Sequence, residues 1–237
     1  MPAGITVYNP GSTVQVDDNY KNLAVKSRFT RTSVEGSPYV RSFIRVQFAS
    51  PFPFIAVTCA SPITLVSSSR VSATSWAFDF VLDAPIGTPA TFYTFGDPGT
   101  GGTLGLQLFN GATQMTFNSN EVYANIIDSL AAADYLSLVG TRSYSSSQLA
   151  VVFGCLSGWS MAGANGAPGS DFSVYVEEKQ ALGARVSGAS VVLAVQPYWL
   201  FTQEQATPPF PNQYFYQKRA QVMVLDVSRA NAKIPLT

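Results

Sequence analysis

Carboxylates are the side chains in this sequence with the clearest capacity for catalysis, because two of them can together hydrolyse a glycosidic bond. The carboxylates available for this chemistry are Asp79, Asp83, Asp128, Asp134, Asp171, Glu177 and Glu178. Hydrolysis needs two carboxyl groups at a defined separation across the sugar. No motif singles out such a pair, so the sequence predicts no hydrolytic site, and we do not expect an enzyme.

Histidine is absent from the sequence, which removes the commonest general base and the commonest metal ligand. The serine-rich segment 143–147 therefore lacks a base that would activate a nucleophile. Asp17 and Asp18 are adjacent, and neighbours on a strand point to opposite faces, so the pair does not favour a calcium site. We predict no catalytic residue, no metal site and no cofactor.

The two cysteines, Cys59 and Cys155, lie far apart, and each ends an apolar run. This pattern favours two buried free thiols, because free cysteine behaves as a small hydrophobic residue. A single disulfide that joins the two halves of the chain is the alternative.

Aromatic residues crowd the C-terminal third and form the candidate contact site. They are Tyr198, Trp199, Phe201, Phe210, Tyr214, Phe215 and Tyr216. Prolines within the segment predict a long, stiff loop. Two uses remain open, since flat rings suit the faces of sugars but also anchor protein interfaces. We favour a subunit interface, because a rigid loop loses little entropy on docking.

The composition indicates a protein that assembles with other subunits. Only 12% of the residues are charged, against about 25% in an average domain. Such a surface favours a homo-oligomer. The 14 basic and 14 acidic residues cancel, so there is no field to hold a polyanion, and nucleic-acid binding is disfavoured. We expect neither a signal peptide nor a membrane span, because no apolar stretch is long enough.

Strand signals dominate the chain and predict an all-β fold, an antiparallel β-sandwich with few short helices. The clearest alternation places Trp76, Phe78 and Phe80 on one face of a strand. Weak helix signals occur at 128–134 and 177–182, the latter equally readable as a β-turn region. Segments 96–103 and 158–170 read as loops, and 228–237 reads as an arm or a final edge strand.

A pattern that occurs twice, at 4–19 and at 105–120, predicts two equivalent β-hairpins. A shift of 101 positions aligns Gly4, Asn9 and Asn19 with Gly105, Asn110 and Asn120 without a gap. Turn residues separate the two arms of each copy. We favour a first domain, 1–130, that contains both hairpins, and a second β-rich domain, 131–237. Two tandem sandwiches that divide near 103 are the alternative.

The run Phe92-Tyr93-Thr94-Phe95-Gly96, the glycine-rich loop after it and the hairpin at 105–120 resemble a pattern of minor virion proteins of tailed bacteriophages. Members commonly carry a Gly-Leu-x-Val-Tyr/Phe-Asn hairpin that returns as a hydrophobic strand ending in Asp-Ser. Asn118 stands here where aspartate is more usual. The N-terminal copy is similar, and the resemblance covers about the first half of the chain.

The resemblance implies a structural protein at the tail tip, the baseplate or the fibre attachment, located in the virion tail and assembled in the host cytoplasm. Its partners would be other virion tail proteins and copies of itself, and a trimer follows only from the likeness to tail-tip proteins. The alternative function is a receptor- or glycan-binding module on the same particle, which would contact a glycan or a protein of the host surface.

Overall fold

Strands make up most of the residues that the computed structural model describes, which are 6–8, 14–17, 22–36, 42–100, 105–110, 112–165, 173–205 and 213–237. The strands of the first half are β1 (Thr6–Tyr8), β2 (Val14–Asp17), β3 (Ala24–Thr32), β4 (Val34–Glu35), β5 (Ser42–Ala49), β6 (Ile55–Thr58), β7 (Ile63–Ser72), β8 (Ser75–Leu82), β9 (Pro89–Gly96), β10 (Gln107–Phe109) and β11 (Met115–Asn118). Those of the second half are β12 (Asn125–Ala132), β13 (Gly140–Ser143), β14 (Leu149–Phe153), β15 (Gly158–Asn165), β16 (Ser173–Ser187), β17 (Ser190–Gln205), β18 (Gln213–Gln217) and β19 (Ala220–Asp226). A 3₁₀ helix spans Tyr135–Leu138, and the helix α1 spans Ser228–Lys233.

Two large antiparallel sheets contain most of these strands. One sheet has six strands in the order β12-β19-β14-β6-β9-β3. The other has nine strands, of which seven follow the order β13-β17-β16-β7-β8-β5-β4, while β15 pairs with β16 and β18 pairs with β15. The pairs β1-β2 and β10-β11 form separate small hairpins.

The apolar faces of the two large sheets meet in one core. Phe80 of β8 and Phe92 of β9 are 1% and 0% exposed, and their ring centroids lie 5.3 Å apart between the sheets. Trp76 and Phe78 contact the same core, as the alternation of β8 predicts. Burial of one such side chain stabilises the fold by roughly 1.5–3 kcal/mol. The predicted all-β antiparallel sandwich is confirmed.

The six-stranded sheet is covered on its outer face as well. Leu149 and Val151 of β14 point into the core between the sheets, whereas Ala150 and Val152 join a second apolar cluster on the other side. Ala230 of α1 belongs to this second cluster. Burial on both faces explains why β14 reads as a continuous apolar run rather than as an alternating one.

Each large sheet contains strands from both ends of the sequence. In the six-stranded sheet, Val57 of β6 pairs with Val151 of β14. In the nine-stranded sheet, Ile63 of β7 pairs with Ala184 of β16. The hydrogen bonding therefore runs across both positions that the sequence suggested as divisions, the one near 130 and the one near 103.

Both hairpins that the repeat predicts are present, and they have the same register. In the first hairpin the partners are Thr6↔Asp17, Val7↔Val16 and Tyr8↔Val14, and in the second they are Gln107↔Asn118, Leu108↔Phe117 and Phe109↔Met115. Each ladder shifts at the same place, between Val7 and Tyr8 and between Leu108 and Phe109. Residues 101 positions apart therefore pair in the same way in the two copies. The irregularity, which resembles a β-bulge, is repeated as well.

Four local predictions are wrong, and long-range strand pairing explains three of them. Most of 128–134, predicted as a helix, belongs to β12, and Asp134 instead caps the 3₁₀ helix. The predicted loop at 158–170 begins with β15, and 177–182, the weak helix or turn candidate, lies within β16. Pairing with distant partners overrides weak local preferences.

The fourth wrong prediction concerns the start of the tail, which is α1 rather than an arm or an edge strand, whereas the end of the tail pairs with the edge of β3 through a single bridge between Leu236 and Arg28. The backbone N–H of Thr237 donates to the carbonyl of Arg28 at 3.1 Å, and its carbonyl accepts from Thr30 at 3.3 Å. These bonds cover part of the otherwise open edge of β3.

Candidate functional site

Six of the seven aromatic residues chosen from the sequence lie on two strands rather than on one long loop. Tyr198, Trp199 and Phe201 belong to β17, and Tyr214, Phe215 and Tyr216 belong to β18. Phe210 lies outside the described residues. The three prolines on which the loop prediction rested, Pro208, Pro209 and Pro211, also lie outside the described residues.

The backbones of the two aromatic groups belong to strands that are not neighbours in the sheet. In this part of the sheet β17 pairs with β16, β16 with β15, and β15 with β18. Two strands therefore separate the backbones of β17 and β18. Because neighbouring strands lie about 4.8 Å apart, β17 and β18 are roughly 14 Å apart.

A fork in the nine-stranded sheet lies where β16 changes its neighbour. One edge of β16 pairs with β15 as far as Ala181, and the same strand pairs with β7 at Ala184. Between the two ladders, the N–H of Leu182 donates to the carbonyl of Ser157 at 3.1 Å. Gly158 begins β15 here, and a Cβ at this position would clash with the backbone carbonyl of Gln180. The close approach of the strands therefore requires glycine.

A cavity of about 270 Å³ opens at this fork, and we call it the fork cavity. Its apolar walls include Leu65 of β7 and Leu156, which precedes β15. Its aromatic walls are Trp159 of β15 and Tyr198 of β17. Tyr198 is the residue skipped in the β16–β17 ladder, where Lys179 pairs with Trp199 and Gln180 with Pro197. A bulge of this kind redirects a side chain.

Two separate sets of polar contacts lie beside the fork cavity, on opposite faces of β16. The indole Nε1 of Trp159 donates to Oε1 of Gln180 at 3.2 Å, and Nε2 of Gln180 donates to Oε1 of Glu178 at 2.6 Å. On β16, Nζ of Lys179 forms an ion pair with Oε1 of Glu177 at 2.8 Å. Burial, helped by the nearby charge of Glu177, raises the pKa of Tyr198 above its usual value, so its hydroxyl remains a hydrogen-bond donor.

The carboxylates considered for catalysis serve other contacts where the structure shows their partners. Asp79 forms an ion pair with Nε of Arg45 at 3.2 Å. Asp128 accepts a hydrogen bond from the hydroxyl of Tyr144 at 2.8 Å. Within the described ranges, no three acidic or cysteine side chains gather as metal ligands would. In the same ranges, no helix has the length and apolar character to cross a membrane.

Both cysteines are free, as the favoured interpretation states, but only one is buried. Cys59 is 3% exposed, and burial raises the pKa of its thiol. Cys155 is only partly covered, so the prediction of burial is wrong for this residue. It lies just after β14, where the apolar run ends and the chain turns away from the core.

The sequence argument missed Trp159 and Gln180, which line the fork cavity and are hydrogen-bonded to each other. A tryptophan among glycines and serines was the available signal, but the same small residues made the segment read as a loop. Of the residues chosen from the sequence, Tyr198 lines the fork cavity. No protein-family model, no curated protein and no solved structure matches this chain.

Proposed function

We propose that this chain is a structural component of a tailed-phage virion, at the tail tip, the baseplate or the fibre attachment, and that it acts by packing against other subunits. The observation that carries the proposal is the repeated hairpin, whose two copies share their register and the position of their irregularity. A repeat without any reactive group is typical of a building element.

The second hairpin, β10–β11, presents apolar side chains to solvent. Phe109 is 50% exposed and Leu106 is 48% exposed. An isolated apolar residue on a surface needs no explanation, but two on such a short hairpin offer a contact for a neighbouring subunit. Aromatic residues are enriched where subunits meet.

Several hydrogen bonds hold this hairpin in a defined shape. The side-chain oxygen of Asn110 accepts from the N–H groups of Ala112 and Gln114 at 3.0 and 2.9 Å, which closes the turn. At the base, the N–H of Leu106 donates to Oγ of Ser119 at 2.9 Å, and the N–H of Ser119 returns a bond to the Leu106 carbonyl at 2.9 Å. A preformed hairpin loses little entropy when it docks.

The two hairpins lie next to each other, since β2 approaches β11. Asn22, which follows the first hairpin, donates its backbone N–H and its side-chain amide to the carbonyl of Thr116 on β11, both at 3.0 Å. The copies therefore form one unit. In the proposed role this unit docks on virion tail proteins or on further copies of the chain, and it holds the assembly together until the host is met.

Mass spectrometry of purified phage particles, combined with antibody labelling in the electron microscope, tests this proposal. The particles are grown from the source that carries the gene. We expect peptides of the chain in the particles and label at one end of the tail. Particles that lack the chain, or label confined to the head, would overturn the proposal.

A further inference from the structure

We propose that the outer edge of β12 pairs with the same edge of a second copy of this chain, so that two six-stranded sheets join into one continuous sheet. This inference does not rest on the virion role, because it concerns the isolated chain, and it uses a different surface from the hairpin β10–β11. The contact has two-fold symmetry, in which each copy contributes the same residues.

The backbone of β12 has an open edge. Among the described residues, β12 pairs with β19 alone and ends the six-stranded sheet. The next ladder shows how β19 is turned, because the N–H of Gly154, just after β14, donates to the carbonyl of Gln221 at 2.8 Å. Gln221 therefore turns its backbone groups towards β14, and by the alternation of an antiparallel ladder Val222 and Val224 turn theirs towards β12.

This alternation identifies the free backbone groups of β12. The partners of the two valines are Leu130 and Asp128, which therefore point their N–H and C=O groups at β19. Ser129 and Ala131 point theirs to the outer side of the strand, where no described residue bonds to them. A row of unpaired backbone groups is a template for another strand.

The opposite edge of the same sheet carries the protection that β12 lacks. The edge strand β3 has three cationic side chains, Lys26, Arg28 and Arg31, and Thr237 bonds to its backbone. Charged residues and a covering segment are means by which an edge strand avoids pairing with another chain. The strand β12 contains no lysine, arginine or proline. The contrast indicates an edge that is left open to a strand partner.

Exposed apolar side chains are grouped beside this open edge. Ile126 and Ile127 lie at the start of β12 and are 49% and 38% exposed, while Leu136 and Val139, shortly after the strand, are 55% and 44% exposed. The 3₁₀ helix that carries Leu136 contacts β12. Such a grouping on a protein surface marks a site of protein contact.

The charges at this edge favour a second copy over a charged partner. The one charged residue of β12, Asp128, accepts a hydrogen bond from the hydroxyl of Tyr144 within the molecule at 2.8 Å, so two copies of the edge bring no like charges together. An antiparallel pairing centred on Ser129 overlaps nearly the whole strand. It places the start of one β12, with Ile126, beside the end of the other, where Leu136 follows, so that each copy covers apolar surface of the other.

Sedimentation velocity of the isolated full-length chain over a range of concentrations tests the proposal. We expect a reversible dimer with a dissociation constant of about 10 μM or lower. Ser129 is exposed. Ser129→Pro removes the outward N–H, which an edge strand tolerates, and Ser129→Lys sets two like charges opposite each other. We expect each variant to weaken the dimer about tenfold or more.

Two controls separate this edge from other surfaces. Ser145→Lys places the same charge at an exposed position elsewhere, and Phe109→Ser changes the hairpin β10–β11. We expect both controls to dimerise like the unmodified chain. Thermal unfolding shows that each variant is folded, and Ser129→Lys serves if Ser129→Pro does not fold. A chain that stays monomeric up to about 100 μM, folded Ser129 variants that dimerise normally, or loss of the dimer in Phe109→Ser would overturn the proposal.

Discussion

Two hairpins of this chain use their apolar residues in opposite ways. In the long hairpin β16–β17, Leu182 and Leu193 lie near the turn and are 3% and 0% exposed, within the core between the sheets. In the short hairpin β10–β11, Phe109 is half exposed. The long hairpin contributes to the free energy of folding, whereas the short one leaves apolar surface exposed, which the proposed role assigns to contact with another subunit.

The long hairpin itself changes character along its length. Residues Ala181, Leu182, Ala184 and Val186 of β16 are buried, but 177–180 are only partly buried and mostly charged or polar. The change coincides with the fork, where β15 replaces β7 as the neighbour of β16. The fully buried part of β16 thus ends where the fork cavity begins.

The substitution Leu193→Ala has the largest expected effect on stability. It removes a fully buried side chain and leaves a cavity, which costs about 2–5 kcal/mol. Urea unfolding monitored by circular dichroism measures the loss. A decrease in the free energy of unfolding below about 1 kcal/mol would show that the turn-proximal half does not carry the core.

The substitution Gly105→Val tests the short hairpin and has a smaller, local effect. Gly105 has φ of +136°, which a β-branched residue rarely adopts, and a Cβ here would clash with Oγ of Ser119. Strain of this kind costs roughly 1–3 kcal/mol. We expect faster proteolysis within 105–120.

The control for this substitution is Ser145→Ala, at an exposed position elsewhere. We expect the control to be cleaved like the unmodified chain. Equal protease resistance of the two variants would contradict the claim that the hairpin is a rigid building element.

Alkaline pH should loosen the turn of the long hairpin by a still smaller amount. Tyr144 donates its backbone N–H to Ala189 in that turn at 2.8 Å and its hydroxyl to Asp128 of the other sheet. Burial, the hydrogen bond to Asp128 and the Asp128 charge raise the pKa of Tyr144 to about 12. Because the pKa is higher in the folded state, the contribution is complete below about pH 10, the unfolded value, and is lost as pH rises towards 12.

The Tyr144→Phe variant isolates this contribution, since it lacks the hydroxyl. We expect the difference in free energy of unfolding between the two proteins to be largest at neutral pH and to shrink as pH rises above about 10. A difference that stays constant from neutral to alkaline pH would show that this hydroxyl does not support the turn.

Patterns within a few residues predicted part of this structure well. The alternation of Trp76, Phe78 and Phe80 placed β8 correctly, and the repeat placed both hairpins. The fork was not predictable in this way, because β15 becomes a strand only through pairing with β16 and β18. Tyr198 was chosen as an aromatic residue of a loop, but its position at a bulge depends on that same distant pairing.

The most direct test of the account compares two exposed apolar residues for incorporation into particles. Phe109→Ser changes the short hairpin, and Val71→Ser changes a residue of β7 that is 53% exposed. We expect both variants to keep the free energy of unfolding within about 0.5 kcal/mol of the unmodified chain. Mass spectrometry of purified particles should then show loss of the Phe109→Ser chain and normal incorporation of the Val71→Ser chain. Equal incorporation of the two variants would contradict the claim that the short hairpin assembles the particle.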